Sequence, residues 1–223
     1  MPIDDDGASG PVADSRMVRD TVIRWVLRGD ARPGDAIPGD VLASLTGAGR
    51  LAVREALTEL AELGMVTESE GGAVVAHPRP SDMAEVDEVR HMLEEVAVRR
   101  FVANASDAQL GALGRALGEL ERVVAEDPAP EELMRARDWF FVVMLRGTGS
   151  TGTIALLQGL RVQAGLVMSL AVTEPGSGAE IAAELREIYS ALAARDARRA
   201  IAACDRHRAR ITEAGLRRIA LCR

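Results

Sequence analysis

A chain of 223 residues with 48% hydrophobic and 27% charged side chains can bury a sizeable core, which excludes a disordered or fibrous protein and allows one or two globular domains. The longest weakly charged region, residues 147–173, is interrupted by Arg161 and carries Gly, Ser, Thr and Gln, so it reads as a buried helix and not as a membrane span; a cytoplasmic location without membrane contact is expected. Cys204 and Cys222 have neither metal-type spacing nor a disulfide framework.

All 27 basic residues are Arg, and the charge is uneven. Residues 1–78 hold 13 acidic side chains against 7 Arg, a net of −6, whereas residues 79–223 hold 21 against 20.

Along the chain, Asp4-Asp5-Asp6, Gly7, Gly10 and Pro11 predict a fold that starts near Val12. Val18, Val22, Trp25 and Val26 then form a helical stripe ending at Gly29, and Pro33-Gly34 turns the chain. A short helix is predicted at 39–46, followed by the turn Thr46-Gly47-Ala48-Gly49. Beyond it Val53, Ala56, Leu57 and Leu60 recur at helical spacing, with Arg50 and Arg54 on the opposite face. Two guanidiniums one turn apart at the start of a short helix suit a DNA major groove, where they bond guanine edges or hold phosphates, and Leu51 between them suits a thymine methyl. The plainer alternative is solvated charges paired with neighbouring carboxylates. Gly49 offers no side-chain acceptor to the helix start, so fraying is expected there.

Segments 65–69 and 73–77 alternate as strands around Gly71-Gly72, a hairpin signature. Pro78-Arg79-Pro80 stops both strand and helix, predicting a stiff linker and a domain boundary. Helical periodicity follows at 82–104, 107–126, 131–147, 152–173, 178–194 and 196–220. The expected fold is mostly α: a winged helix-turn-helix at 12–78 and an all-helical bundle at 81–220. Trp25, Phe101 and Trp139 are expected in the core, and His77 and His91 have no partners at ligand spacing.

Pro33-Gly34-Asp35, Leu42-Ala43, Arg50, Val53-Arg54-Glu55-Ala56-Leu57, Leu60, Gly64 and Gly72 together resemble the GntR family of bacterial transcription regulators. The helical half is similar to the FCD-type sensor of its FadR branch, through Val89-Arg90, Leu93-Glu94, Asp138, Phe141, Asp196, Ala200 and His207. The resemblance covers about residues 12–215. It implies DNA contact through Arg50, Leu51, Arg54 and the wing Gly72, homodimers on a palindromic double-stranded operator, and a small-molecule effector in the helical half. Departures are Gly49 for the usual Ser, Thr46 for Leu, and Ala52 for Pro.

In many sensors of this branch an Asp and three His hold a divalent metal. Here the two positions beyond Asp138 and His207 are Val142 and Leu185. Two protein ligands rarely hold a metal firmly, so no tightly bound metal or other cofactor is expected, a weakly bound divalent ion being the alternative. Asp138 shares a stripe with Met134, Phe141 and Leu145, His207 one with Ala200, Cys204 and Ile211, and Arg90 one with Val86 and Leu93. All three are expected to face inward, either as an effector pocket whose Arg90 grips a carboxylate or as a self-satisfied polar network.

The expected function is ligand-responsive control of transcription, most simply repression, without enzymatic activity. Two rivals are an interaction protein that has lost sequence-specific DNA binding and a helical enzyme using Asp138 and His207 as an acid-base pair.

Overall fold

Valines at 18, 22 and 26 lie on one face of an 18-residue helix, and all three are buried against the rest of the N-terminal unit. The computed structural model describes residues 11–28, 30–77, 80–152, 157 and 165–221. It divides into two units, residues 1–77 and 78–223. Residues 1–10, Gly29, Pro78 and Arg79, half of the helix expected at 152–173 (residues 153–156 and 158–164), and residues 222–223 lie outside the described residues.

The first unit runs α1 (Pro11–Arg28), β1 (Ala36–Pro38), α2 (Gly39–Thr46), α3 (Arg50–Glu62), β2 (Val66–Ser69) and β3 (Gly72–Val75). Helix α1 packs on α3, whose Ala52, Val53, Ala56, Leu57 and Leu60 are buried. The hairpin pairs Val66 with Val75 and Ser69 with Gly72, turning at Gly71 with φ of 82°. A third strand, β1, pairs Ile37 with Ala73 and Pro38 with Gly72, giving the antiparallel order β1-β3-β2. Ile37 is 1% exposed, so this short strand closes the bottom of the core.

Gly72 makes that third strand possible. A Cβ there would lie 2.2 Å from the Ile37 carbonyl oxygen and 2.9 Å from the Gly39 nitrogen. Gly72→Ala should therefore push β1 off the hairpin and destabilise the first unit by about 2 kcal/mol, because the clash is with backbone while a three-residue edge strand can still detach. A thermal melt of the variant checks this.

The second unit is helical: α4 (Pro80–Asn104), α5 (Asp107–Ala125), α6 (Pro130–Arg146), α7 (Gly165–Ala171), α8 (Ser177–Ala193) and α9 (Ala197–Leu221). Pro80 opens α4 and does not extend the linker, since a first-turn proline gives up only an N–H that has no helical partner. Helix α5 starts on a capping box: Ser106 Oγ accepts from Gln109 N, and Gln109 Oε1 accepts from Ser106 N. Helix α9 packs against α7, α8 and α4, and α5 packs against α6 and α8. Phe101, Leu113, Leu120, Phe140, Met144, Ile181 and Leu185 form fully buried parts of this core. Trp139 departs from expectation, standing 45% exposed on α6 with the Arg146 guanidinium 5.2 Å from its ring. None of the described helices is long and apolar enough to cross a membrane.

Candidate functional site

Two places in the chain concentrate chemistry, one in each unit. In the first, α3 buries its apolar stripe against α1 and turns Arg50, Leu51 and Arg54 outward; Leu51 is 57% exposed. An exposed leucine between two arginines at a helix start is poor for folding alone. Among the described residues neither guanidinium takes part in an ion pair, so the solvated-pair alternative is not what the structure holds. Gly49 precedes the helix with no side-chain cap, leaving its first backbone N–H groups open to an outside acceptor such as a phosphate. The side chains of Arg50 and Arg54 border a groove of about 670 Å³ that continues over Asp40, Glu68 and Gly72. Gly72 itself is half-buried, and its lack of a side chain is accounted for by β1 packing.

In the second unit the polar residues of α6 and α9 do not meet as expected. His207 is buried, 1% exposed, as its stripe with Ala200, Cys204 and Ile211 implies. Asp138, by contrast, keeps 42% of its side chain exposed and lines a surface groove with Arg122, Arg135 and Trp139. The inward position on α6 belongs to Arg137, which is 2% exposed. The reason is angular: Leu133, Phe140, Phe141 and Met144 set the centre of the buried stripe, Arg137 falls on that centre, and Asp138 is one step around its edge. The same spacing was visible in the sequence, at three, four and seven residues from Arg137.

Arg137 ties the two expected site residues together. Its Nε donates to His207 Nε2 at 3.0 Å and its Nη1 to Asp138 Oδ1 at 3.0 Å. The guanidinium carbon lies 4.8 Å from the centre of the Phe141 ring, on which His207 stacks at 5.6 Å. Because Nε2 accepts, the imidazole proton sits on Nδ1, which donates to Glu184 Oε2 at 2.6 Å. Arg210 Nη2 in turn donates to Glu184 Oε2 at 2.8 Å.

Arg90, the third expected residue, is 4% exposed and is held by Glu94 at 3.0 Å and Asp87 at 3.7 Å. It joins neither Asp138 nor His207 directly, but shares with Arg137, Glu94, Phe141 and Leu157 the lining of a cavity of about 20 Å³. Its Nε is buried without a hydrogen-bond partner among the described residues. His91, which has no partner at ligand spacing along the sequence, meets Asp205 Oδ1 at 2.6 Å across the fold.

A carboxylate-and-imidazole metal set does not fit these residues. Val142 and Leu185 present only carbon, the bare nitrogen of His207 is taken by a guanidinium, and Asp138 is turned halfway to solvent. Among the described residues no group of three or more His, Cys, Asp or Glu is placed to hold a metal ion.

The His207 relay also sets an acid limit on the fold. Burial first, and the neighbouring Arg137 charge second, push the His207 pKa from 6.5 down to about 4. The unfolded chain therefore binds this proton at higher pH than the folded one. Stability contributed by neutral His207 is present above pH 6.5 and is lost as pH falls toward 4, by roughly 3 kcal/mol over that window. Burial works to raise the Glu184 carboxyl, but the hydrogen bonds from His207 and Arg210 outweigh it and hold it below its usual value, so its contribution fades at lower pH still. Urea midpoints measured from pH 7 to pH 4 should fall throughout, and His207→Gln should flatten the upper part of that slope.

Comparison with known proteins places both units. The model of the gntR family of bacterial regulatory proteins matches residues 14–75, and that of the FCD domain matches residues 85–210. An uncharacterised HTH-type transcriptional regulator, YdhC of Bacillus subtilis (strain 168), is 24% identical over 123 residues, 55% of this chain and 55% of that protein, so the chain covers little more than half of that relative's length. E. coli McbR/YncC is similar in fold over 94% of this chain and 98% of its own, with a TM-score of 0.73 at 20% identity. A putative transcriptional regulator GntR from Rhodococcus sp. RHA1 matches over 95% of this chain and 100% of its own, with a TM-score of 0.74 at 21% identity.

Proposed function

Because the chain belongs to the gntR family of bacterial regulatory proteins and carries an FCD domain, we propose that it is a ligand-responsive, DNA-binding transcription regulator. It acts as a homodimer that reads a palindromic duplex with Arg50, Leu51 and Arg54 and releases it when a small carboxylate-bearing effector occupies the helical unit. The observation that carries the DNA-reading part is the exposed Arg50 and Arg54, which take part in no ion pair among the described residues, one turn apart on a helix whose other face is buried. A gel shift of the chain on the DNA upstream of its own coding region tests it. Retention of one duplex roughly a thousandfold or more better than random DNA is expected, on the order of the smallest specific-to-random ratios for such readers. Equal retention of all duplexes would leave the rival of a helical interaction protein standing.

The effector side is supported by Arg90, a buried guanidinium whose Nε has no hydrogen-bond partner among the described residues, on a cavity of about 20 Å³. A group of this kind answers a carboxylate oxygen. That cavity alone holds about one water, so an effector reaching Arg90 there displaces its lining side chains, and binding is coupled to rearrangement. Repression relieved by effector follows if the rearranged dimer misaligns the two DNA-reading heads with their half-sites.

Dimerisation has a candidate face on α4, where Val89, Met92 and Val96 stand 43%, 53% and 44% exposed along one stripe. Met92→Glu should convert dimers to monomers in analytical ultracentrifugation, and operator binding should fall with them because each monomer reads half a site. Dimers unaffected by this charge would place the interface elsewhere.

A further inference from the structure

Arg137 has no assigned role in any of the expectations above, yet it is the most completely enclosed cation described. Its guanidinium lies between the carboxylate of Asp138 and the bare Nε2 of His207, at 3.0 Å from each. It rests over the Phe141 ring, with Met168 Sδ 2.8 Å from its Nη1. Behind His207, Nδ1–H is held by Glu184, and Glu184 is held by Arg210. An imidazole that turns one nitrogen to a cation and gives its other N–H to a carboxylate is the arrangement found around metal-bound histidines. Here the cation is part of the chain.

We propose that Arg137 is the resident cation of the helical unit, its guanidinium occupying the place between Asp138 and His207 that a divalent metal takes in the sensors this chain resembles. A guanidinium supplies a permanent positive charge that cannot be deprotonated or chelated. It also points donors along fixed directions, which suits bridging one carboxylate and one imidazole. The replacement is consistent with the carbon side chains of Val142 and Leu185, since a guanidinium bonded on two sides and stacked on an aromatic ring needs no further imidazoles. The positive charge of this interior then does not depend on metal supply.

Three measurements test this on the full chain. Protein produced with excess zinc and manganese is expected to hold no stoichiometric metal and to keep its melting midpoint in EDTA. One ion per chain, removed by EDTA with a drop in midpoint, overturns the proposal. In protein labelled with ¹⁵N at Arg and His, a scalar coupling across Arg137 Nε–H to His207 Nε2 is expected, with the ring proton on Nδ1; a His207 ring protonated on Nε2 alone overturns it. Finally, Val142→His with Leu185→His should take up no zinc while Arg137 remains. Adding Arg137→Met should raise zinc affinity by roughly tenfold or more, seen as a zinc-dependent rise in midpoint or as refolding that requires zinc. Equal zinc uptake with and without Arg137 shows that the guanidinium does not hold the place, and overturns the proposal.

Discussion

Arg54→Ala should weaken operator binding by roughly a hundredfold while leaving the melting midpoint of the protein unchanged. Its side chain is exposed on α3, takes part in no described ion pair, and is flanked inward by the buried Val53, Ala56 and Leu57, so removing it leaves the packing intact. A bidentate guanine contact contributes about 1–3 kcal/mol of discrimination, and a dimer makes it twice, which at about 1.4 kcal/mol per tenfold gives a hundredfold loss toward the low end of that range. Arg50→Ala should act in the same direction. The two possible jobs of each arginine separate in the measurement: loss of a base contact relaxes sequence preference at one position of each half-site, whereas loss of a phosphate contact weakens all duplexes alike and lowers the salt slope by about one per contact. The net charge of −6 on residues 1–78 makes this test unusually clean, because few other basic side chains remain to hold DNA nonspecifically. A variant that keeps full affinity and full preference would remove α3 from the interface.

Much of this arrangement was legible because it rests on local signals. The stripe of α3, the short α2 and the Gly71-Gly72 hairpin are set by residues close together in the chain, and the structure places them where the periodicity predicts. Strand β1 was not legible. Three residues ending in proline carry no strand signal of their own, and Ala36–Pro38 becomes a strand only because Gly72, far along the chain, lets it approach. The inward direction of Arg90 and His207 followed from their stripes, but that of Asp138 did not, since it sits at the rim of a stripe centred on Arg137. Arginine at a stripe centre is easily passed over as a surface charge. What makes it tolerable inside is a set of partners on two other helices, His207 and Met168, with Glu184 on a third behind His207, and no single segment reveals such a set. Trp139 shows the converse error, a large aromatic assigned to the core by its type when the stripe already left it outside.

Gly215→Ala should be the most damaging small substitution in the helical unit, lowering its stability by about 4 kcal/mol. Glycine inside a helix is normally a defect of about 1 kcal/mol relative to alanine, so one in the interior of the 25-residue α9 needs a reason. The reason is contact with α7. A Cβ on Gly215 would lie 2.1 Å from the Val167 carbonyl oxygen and 2.5 Å from Val167 Cγ1, so the two helices touch backbone to backbone at this point. Side-chain rotation cannot relieve a clash with a carbonyl; α7 must move as a body. Such movement pulls apart the buried cluster of Val167, Leu170 and Ile219, into which Val86 and Leu216 also pack. Overpacking of this kind costs about 1–3 kcal/mol where neighbours can adjust, and more where the neighbour is backbone, which outweighs the gain in helix propensity. Gly118 supplies the control: it lies within α5, is exposed, and has nothing within 4 Å of an added Cβ. Gly118→Ala should therefore stabilise the same unit by up to about 1 kcal/mol. Urea unfolding followed by far-UV circular dichroism should move the two midpoints in opposite directions, and a Gly215→Ala midpoint at or above that of the unaltered chain would show that α7 does not rest on α9 at this point.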